Sequence, residues 1–545
     1  MTRPDSTPNP APNPAPTHAP TPAPAADDMA TRRADLARLR GLSEDAARPE
    51  AVARQHARAE MTARARAQAF CDPGTFREIG GLARDEDAAP GEKPADGMIC
   101  GIGRAEGRPV VLVSQDFTVE GGSSGVIGSV KLEHAARRAM REGCPLVMLL
   151  DGGGHRISSG QDSRHYAWAN PLFHDLARMS GWVPMAAAIL GAGFAAPTNY
   201  AALADFVVMV RGRSYMGLSG PALVKAGVGE VIDKETLGGA SAQVDRHGLA
   251  DLAVDTEAEA LGAIRDFLAY LPSNARAEPA LRPAPAPDPA AEAARAEALA
   301  SLVPANTRRA YDVRKVVEGI VDPGTVFEMK PSFARNAVCA FARLEGRPVG
   351  ILANQALHLG GMLTAAACEK MARHVATCDA YGLPLIYLID VPGFFIGSGA
   401  EKTQLGRRSA KLIAELGQAT VPRVSVVLRK GYGLGYFAMC GGRSFDSDAS
   451  FAWPTAEICA MSIEGAVEVI HRREFAAAED PAAARAARVA EMRTRVTPFG
   501  GAEGFGLDDA IDPSETRARL LEILARAPAR RDLFMPPKFR AIPPI

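Results

Sequence analysis

The chain repeats itself at a constant spacing, and this repeat limits the folds open to it more than any other feature. The pentapeptide EGRPV occurs at residues 106–110 and again at residues 345–349, an offset of 239 positions (345 − 106 = 239). Two further pairs of landmarks keep that offset, namely Gly121 with Gly360 at the start of a Gly-Gly pair and Asp151 with Asp390 at the end of an apolar run. Each copy is far longer than a solenoid repeat, so the pattern predicts a duplicated domain.

The first copy contains a strand that ends in a glycine turn. The apolar run at residues 145–150 predicts a buried strand, and the chain then breaks after Asp151 into Gly152, Gly153 and Gly154. Glycine permits a sharp turn and lets a ligand approach bare N–H groups. Such donors suit an oxyanion hole, where they meet developing negative charge.

The second copy offers a comparable turn after the apolar run VPRVSVVLRK. A helix is predicted to begin in Gly433-Leu434-Gly435, where outward N–H groups and the helix dipole favour an anion. Subtracting 239 from the last two positions gives Ala195 and Ala196, so each copy has two candidate turns. Two similar domains with matching turns could build one site between them, each supplying one oxyanion hole.

Composition excludes several classes of function. The 545 residues carry a formal net charge of -1, which argues against a bulk electrostatic nucleic-acid binder. The most apolar window, residues 182–210, is interrupted by Pro184, Pro197 and Asp205, which predicts buried elements and no membrane span. None of the eight cysteines forms a CxxC pair, so we expect reduced thiols, no zinc site and a cytoplasmic protein.

Composition also divides the chain. Residues 1–28 are rich in proline and alanine and are expected to form a disordered tail. Residues 275–300 form a second break, predicted to be an extended linker followed by a helix. We therefore expect one domain at residues 29–274 and a second at residues 301–545.

Local patterns in the first copy predict its elements. The charged residues 29–69 are expected to be helical and to lie on the outside. Two strands are expected around a hairpin turn at Gly107-Arg108-Pro109. Helices are predicted at residues 129–142 and 167–179, with a strand at residues 185–190 between the second helix and the loop GAGFAAP.

Two motifs suggest other chemistries and are weighed against context. Gly121-Gly122-Ser123-Ser124-Gly125 fits the GxSxG hydrolase elbow, but the equivalent point in the second copy, Gly360-Gly361-Met362-Leu363, has no serine. The GxGxxA pattern in GAGFAAP lacks a following acidic residue in a convincing second strand, so nicotinamide binding is not predicted. The sequence contains no Walker A motif and no lysine flanked by methionines for covalent biotin.

Seven stretches within roughly residues 70–525 match the pattern of a known family. They are GRPVVLVSQDFTVEGGSSG, DGGGHRI, ALADF, ETLGGA, LIDVPGFFIG, KLIAELGQATVPRVSVVLRKGYGLGY and AWPTAEICAM. In these stretches the chain resembles the carboxyltransferase (beta) subunits of biotin-dependent acyl-CoA carboxylases. This resemblance implies an α/β fold of two tandem crotonase-like (ClpP/crotonase) domains built from repeated ββα units. It also implies transfer of a carboxyl group from carboxybiotin to the α-carbon, or a vinylogous carbon, of an acyl-CoA.

The same resemblance implies partners. Biotin would be carried on a biotin carboxylase/biotin carrier subunit, the acyl-CoA would be the substrate, and no metal, nucleic acid or membrane is expected. A homo-oligomer is expected, with each site between the N-terminal half of one subunit and the C-terminal half of another.

The resemblance also assigns residues. One pair of N–H donors would be Gly153 and Gly154 on the acyl-CoA side, and the other would be Leu434 and Gly435 on the biotin side. The remaining contacts implied are Gly121, Gly122, His155 and Phe437 for the acyl-CoA, and Gly360, Gly361, Phe394 and Gly433 for biotin.

The chain departs from the family pattern at four places. Gly152 and His155 stand where the family usually has Ser and Ala, and the turn Phe194-Ala195-Ala196 is usually richer in glycine. Leu434 replaces a common small residue, although a backbone N–H donor does not depend on its side chain. The acyl group is left open because YGLGYFAMCGGRSF resembles carboxylases of methylcrotonyl-CoA, whereas FAWPTAEICAM and DFTVEGG resemble those of propionyl- or acetyl-CoA. A biotin-dependent decarboxylase and a non-catalytic assembly paralogue are the alternative functions.

Overall fold

The computed structural model describes residues 28–85, 88–167, 172–283, 288–530 and 542. The predicted tail at residues 1–28 therefore lies outside the described residues except for Asp28, and so do residues 284–287 of the predicted linker.

The described strands form two large sheets and one small one. They are β1 Arg77–Ile79, β2 Met98–Ala105, β3 Arg108–Gln115, β4 Leu146–Leu150, β5 Met185–Ile189, β6 Ala192–Phe194, β7 Phe206–Val210, β8 Tyr215–Gly217, β9 Leu252–Val254, β10 Phe327–Met329, β11 Ala337–Leu344, β12 Arg347–Asn354, β13 Leu385–Val391, β14 Arg423–Tyr432, β15 Ala449–Ala452, β16 Glu457–Cys459 and β17 Asp509–Ala510.

Helices pack on these sheets. They are α1 Met29–Ser43, α2 Pro49–Ala57, α3 Ala63–Phe70, α4 Val126–Glu142, α5 Ile157–Gly160, α6 Ser163–Tyr166, α7 Leu172–Met179, α8 Ala196–Leu203, α9 Pro221–Val228, α10 Lys234–Gly238, α11 Glu257–Tyr270, α12 Pro289–Leu302, α13 Val313–Ile320, α14 Ala365–Tyr381, α15 Ser398–Lys402, α16 Leu405–Gln418, α17 Gly433–Ala438, α18 Ile463–Ala477, α19 Pro481–Arg493, α20 Pro498–Glu503 and α21 Thr516–Arg526.

The two large sheets have the same design. The first runs in the order β1-β2-β3-β4-β5-β7-β9 and the second in the order β10-β11-β12-β13-β14-β15-β17, with β16 paired to β14. In each sheet the first three strands are antiparallel and the rest are parallel. Strands β2 and β11, like helices α4 and α14, begin 239 residues apart, so the duplication inferred from sequence extends to the backbone.

The hairpin between β2 and β3 corrects one prediction. The turn lies at Glu106 and Gly107, both with positive φ (51° and 78°), and Arg108 and Pro109 already belong to β3. A two-residue turn of this hand needs positive φ at both central positions, which the proline ring forbids. The Asp72 carboxylate accepts hydrogen bonds from both turn N–H groups, and Asp322 does the same in the second copy.

The N-terminal helices correct a second prediction, that residues 29–69 lie on the outside. α1 is exposed as predicted, but α3 is largely buried and its Arg66 is fully enclosed. Two buried carboxylates neutralise this arginine, which is how a charged residue enters a core. The helix predicted at residues 167–179 is α7, and residues 168–171 before it lie outside the described part.

One apolar core joins the two copies. Phe206 stacks on Phe267 with ring centroids 4.9 Å apart, and Phe267 contacts Phe341 of the second copy at 5.9 Å. α14 lies in this core, and all of its residues except Ala366 are buried. Within the described residues no helix is both long and apolar enough to cross a membrane.

Candidate active site

In the first copy the glycine turn lies at the carboxyl end of β4. Gly153 and Gly154 are half-buried, and within the described residues their N–H groups donate no hydrogen bond. A Cβ placed on Gly154 would lie 3.0 Å from the Cβ of Ala195 and 3.8 Å from the nitrogen of Ala196. The turn therefore faces the start of α8, where the first N–H groups have no partner inside the helix.

In the second copy α17 begins directly after β14. Gly433 has a φ of 60°, and Leu434 and Gly435 follow in the first helical turn, where N–H groups have no intrahelical acceptor. A Cβ on Gly435 would lie 3.0 Å from the Cα of Gly393. A side chain at this position would push the neighbouring turn away by a few tenths of an ångström, so the strand-end turn and the helix start meet here as well.

The offset shows which of these residues correspond. Ala195 and Ala196 are equivalent to Leu434 and Gly435, whereas Gly154 is equivalent to Gly393. Within each copy, the strand-end turn and the start of the following helix therefore lie side by side. The two predicted donor pairs are not equivalent to each other, because one lies in the strand-end turn of copy one and the other at the helix start of copy two. Ala195 and Ala196 also lie at the site. Their side chains have no functional group that sequence analysis could single out, so only the 239-residue offset of the repeat identifies these positions.

The Gly-Gly loops flank these turns. Gly121 and Gly360 have φ of 63° and 61°, and Gly122 and Gly361 have φ of 70° and 82°. The residues just beyond each loop pair with those just beyond each strand-end turn, through the bridges Ser124 to His155 and Leu363 to Phe394. Each loop thus lies beside the strand-end turn of its own copy.

Buried charges lie beneath both turns. Arg66 holds Asp151 at 2.8 Å and also pairs with Glu257, while burial raises the pKa of Asp151. In the second copy Asp390 contacts Arg429 at 3.0 Å and Lys430 at 3.2 Å. These ion pairs fix the strand ends from which the turns begin.

The first copy has an additional anchor that the sequence did not suggest. Arg156, two residues after Gly154, places Nη1 2.7 Å from Asp96, and Asp96 also accepts the N–H of Gly128 in the first turn of α4. Asp96 has φ 48°, a strained conformation for a residue with a side chain. The equivalent of Arg156 in the second copy is Phe395, so only the first turn is held by this ion pair.

Three predicted contact residues have defined positions. His155 is half-buried, with its ring edge-on to Tyr166 at 5.7 Å between centroids. Its equivalent Phe394 is half-buried against the main core. Phe437 remains 43% exposed on α17 beside Leu434, which is 57% exposed, so both side chains are accessible at the mouth of the second turn.

Ser123 is not arranged as a hydrolase nucleophile. Its hydroxyl donates to the carbonyl of Glu120 at 2.8 Å, within its own loop. Its proton is therefore directed to a backbone oxygen and away from any general base.

The chemistry of the site is that of backbone donors. Paired N–H groups in a preorganised turn bind a carbonyl oxygen and stabilise the negative charge that develops on it. Two such turns, one in each homologous domain, are what an enzyme that stabilises oxyanions on acyl groups requires.

Comparison with known proteins identifies the family. Residues 54–542 match the model of the carboxyl transferase domain, and the chain belongs to this family. It is 37% identical over 471 residues to the carboxyltransferase subunit of propionyl-CoA carboxylase from Haloferax mediterranei, covering 86% of this chain and 90% of that protein. It is 36% identical over 453 residues to the alpha subunit of methylmalonyl-CoA decarboxylase from Veillonella parvula, covering 83% and 86%.

A solved structure agrees. Transcarboxylase 12S, a hexamer with methylmalonyl-coenzyme A and methylmalonic acid bound, matches with a TM-score of 0.85 and 36% identity, covering 95% of this chain and 99% of that one. The expected fold, two tandem crotonase-like domains, is confirmed. The protein is an acyl-CoA carboxyltransferase, as its sequence predicted.

Proposed function

We propose that this chain moves a carboxyl group between carboxybiotin on a partner subunit and the α-carbon of a short saturated acyl-CoA, the propionyl/methylmalonyl pair. The observation that carries the proposal is that each copy offers backbone N–H donors, at the strand-end turn Gly153-Gly154 in copy one and at the helix start Leu434-Gly435 in copy two. One oxyanion would form in each turn.

The first turn would bind the thioester oxygen. N–H donors aimed at this oxygen stabilise the enolate more strongly than the neutral thioester, because they are directed at charge that develops during the reaction. Ala196 at the start of α8 lies close enough to Gly154 to add a donor from the other side. The Arg156–Asp96 ion pair would keep this turn rigid while the charge forms.

The second turn fits a ureido oxygen equally well, since its donors are backbone groups whose direction does not depend on the side chain of Leu434. Carboxybiotin would supply the carboxyl group as CO2, and the ureido nitrogen freed by that loss would take up the α-proton. The chain's own task in this half is to bind, orient and exclude water, for which the exposed apolar side chain of Leu434 is suited.

The substrate assignment is supported by the relatives. Two relatives are named for propionyl-CoA and for methylmalonyl-CoA, which differ by one carboxyl group. The related 12S structure has methylmalonyl-coenzyme A bound. A methylcrotonyl-type substrate stays the alternative because of YGLGYFAMCGGRSF. The Veillonella relative equally supports the reverse direction, decarboxylation coupled to biotin.

Partners form part of the proposal. Copy one exposes four large apolar side chains on and beside α9, namely Leu218, Leu223, Val228 and Val231. Copy two exposes Ile396, close to its strand-end turn. Extensive exposed apolar surface marks a contact region. We infer that a second copy of the chain covers it and that each active site lies between subunits, with a biotin carboxylase/biotin carrier subunit delivering biotin. All eight cysteines lie in the described part of the chain and none of them is in a disulfide, in keeping with a cytoplasmic location.

The test uses the purified chain, free biotin and three carboxylated thioesters: malonyl-, methylmalonyl- and 3-methylglutaconyl-CoA. We expect biotin-dependent release of propionyl-CoA from methylmalonyl-CoA. Turnover of 3-methylglutaconyl-CoA alone would replace the substrate assignment, and turnover of none, with the chain folded and CoA unbound, would favour the assembly paralogue.

A matched pair of variants tests the donors. Leu434→Pro removes one N–H at the second helical position, where proline is tolerated, and should lower kcat by about 100-fold. Leu434→Ala keeps the N–H and should stay within about 3-fold of the parent, because the donor is backbone. Equal loss in both variants would mean that the side chain, and not the N–H, matters.

A further inference from the structure

A buried neutral amide stands at the same place in both copies. Gln115 ends β3 and Asn354 ends β12, 239 residues apart, and they are 1% and 0% exposed. Neither residue was singled out by sequence motifs. Their surroundings are the Gly-Gly loop and the strand-end turn of each copy.

Each amide connects these two segments. In copy one Nε2 of Gln115 donates to the carbonyl of Gly122 at 2.5 Å, and Oε1 accepts the N–H of Asp151 at 3.1 Å. In copy two Nδ2 of Asn354 donates to the carbonyl of Gly361 at 3.3 Å, and Oδ1 accepts the N–H of Asp390 at 3.2 Å. The same pair of contacts has been kept although the side chains differ by one methylene.

A neutral amide suits this position, whereas a carboxylate or an apolar side chain does not. A carbonyl can only accept and an N–H can only donate, so the bridging side chain needs one donor and one acceptor. A carboxylate would direct an oxygen at the glycine carbonyl, and an apolar side chain would leave two buried backbone groups unpaired.

The two segments are also pressed together. A Cβ on Gly122 would lie 2.1 Å from the carbonyl oxygen of Asp151, and one on Gly361 would lie 2.7 Å from that of Asp390. The loop therefore rests directly on the residue that opens the strand-end turn. Displacement of the loop would displace the turn and its N–H donors with it.

We propose that Gln115 and Asn354 are positioning residues that each lock one Gly-Gly loop to one strand-end turn, Gln115 for the acyl-CoA half and Asn354 for the biotin half. The assignment of ligands to halves rests on the function proposed above. The locking itself does not, and it is tested separately.

The first experiment replaces each amide by an apolar side chain of similar size, Gln115→Met and Asn354→Leu. Steady-state decarboxylation of methylmalonyl-CoA with free biotin gives KM and kcat for each substrate. Gln115→Met should lower kcat/KM for methylmalonyl-CoA by about 100-fold, because a displacement of catalytic groups by about 1 Å lowers the rate by about that factor. The same variant should change the KM for biotin less than about 3-fold. Asn354→Leu should show the reverse selectivity.

Ser114→Ala is the matched control. Ser114 precedes Gln115 on β3, is fully buried, and its hydroxyl has no hydrogen-bond partner among the described residues. Its loss should leave both KM values unchanged. Equal effects of Gln115→Met and Asn354→Leu on both substrates would overturn the division of roles.

A second variant guards against simple unfolding. In Gln115→Glu the protonated carboxyl can donate to Gly122 and accept from Asp151, whereas the carboxylate can only accept. The activity relative to the parent should therefore rise as the pH falls from 8 to 5.5. A flat ratio across this range would overturn the hydrogen-bonding role.

Amide hydrogen exchange supplies a readout that needs no activity. Gln115→Met should speed exchange in residues 116–125 and 151–157 and leave residues 355–364 and 390–396 unchanged, and Asn354→Leu should do the opposite. Unchanged exchange at the loop next to the mutated amide would overturn the locking. If the parent lacks biotin-dependent turnover, the proposed function fails while this measurement still decides the locking.

Discussion

Helices α4 and α14 occupy the same place in the two copies, yet one faces outward and the other is enclosed. α4 exposes residues such as Val130, Arg137 and Arg141, whereas α14 is buried on all sides between the copies. Accordingly, charged side chains in α14 find partners across the seam, as Arg373 does by donating to the carbonyl of Ala204. The comparison teaches that duplication preserved the backbone, while packing of one copy on the other decided which surfaces became core.

The largest expected effect comes from exchanging equivalent residues of these helices. Arg137 of α4 corresponds to Ala376 of α14, which is fully buried. Ala376→Arg should cost about 5 kcal/mol or more, because it inserts an unpaired charge and excess volume into the core. Arg137→Ala should cost clearly less, about 1–2 kcal/mol, because the Arg137 side chain is half-exposed although its partner Asp175 is buried. Soluble yield and thermal unfolding measure both, and similar losses would refute the contrast.

The buried charges beneath the turns sharpen the comparison next. Asp151 relies on Arg66, which also neutralises Glu257, whereas Asp390 has both Arg429 and Lys430. Arg66→Met should destabilise by about 3–5 kcal/mol, because two buried carboxylates lose their cation. Lys430→Met should cost clearly less, since Arg429 remains. Urea unfolding compares them, and adding Glu257→Gln to Arg66→Met should recover part of the loss.

The Gly-Gly loops should differ in their tolerance of a methyl group. Gly122→Ala places Cβ 2.1 Å from the carbonyl oxygen of Asp151, and Gly361→Ala places it 2.7 Å from that of Asp390. We expect a loss of about 3 kcal/mol for the first and about 2 kcal/mol for the second, from clash and positive φ together. Gly121→Ala is the control, since its Cβ would meet nothing within 4 Å and only the backbone strain of about 1 kcal/mol remains. A larger loss for Gly121→Ala than for Gly122→Ala in chemical unfolding would contradict this ranking.

The seam between the copies carries the last of these effects, and it depends on pH. Burial raises the pKa of Asp205 to about 6, although the carboxylate accepts hydrogen bonds from Tyr381 of α14 and from the N–H of Met185. A raised carboxyl pKa favours the folded state at low pH, and this contribution is lost as pH rises from about 4 to about 6. Above that range the buried charge costs about 3 kcal/mol, the equivalent of a pKa raised from 3.8 to about 6.

Asp205→Asn should therefore stabilise the protein at pH 7 and flatten its stability between pH 4 and pH 6. The amide oxygen can keep both accepted hydrogen bonds, and the amide nitrogen takes the place of Oδ1, which has no partner among the described residues. Thermal unfolding at pH 4.5, 6 and 7.5 measures the change, and lower stability of the variant at pH 7 would refute it.

Sequence patterns located the strands, the helices and the turns because these depend on neighbours along the chain. The apolar run before Asp151 is β4, the helix expected at Gly433 is α17, and the helix expected near residue 300 is α12. The hairpin turn was wrongly placed because proline is common in turns, so Pro109 was included in it. Proline cannot adopt the positive φ that this turn requires.

What the sequence by itself determined was the duplication, the two glycine turns and the family, since each is written in local spacing. Only the tertiary structure decided that Arg66 is enclosed, that Ala196 lies beside Gly154, and that Gln115 and Asn354 join loop to turn. The physical reason is that turn geometry follows from a few adjacent residues. Burial and polar pairing depend instead on which distant segments the fold packs together.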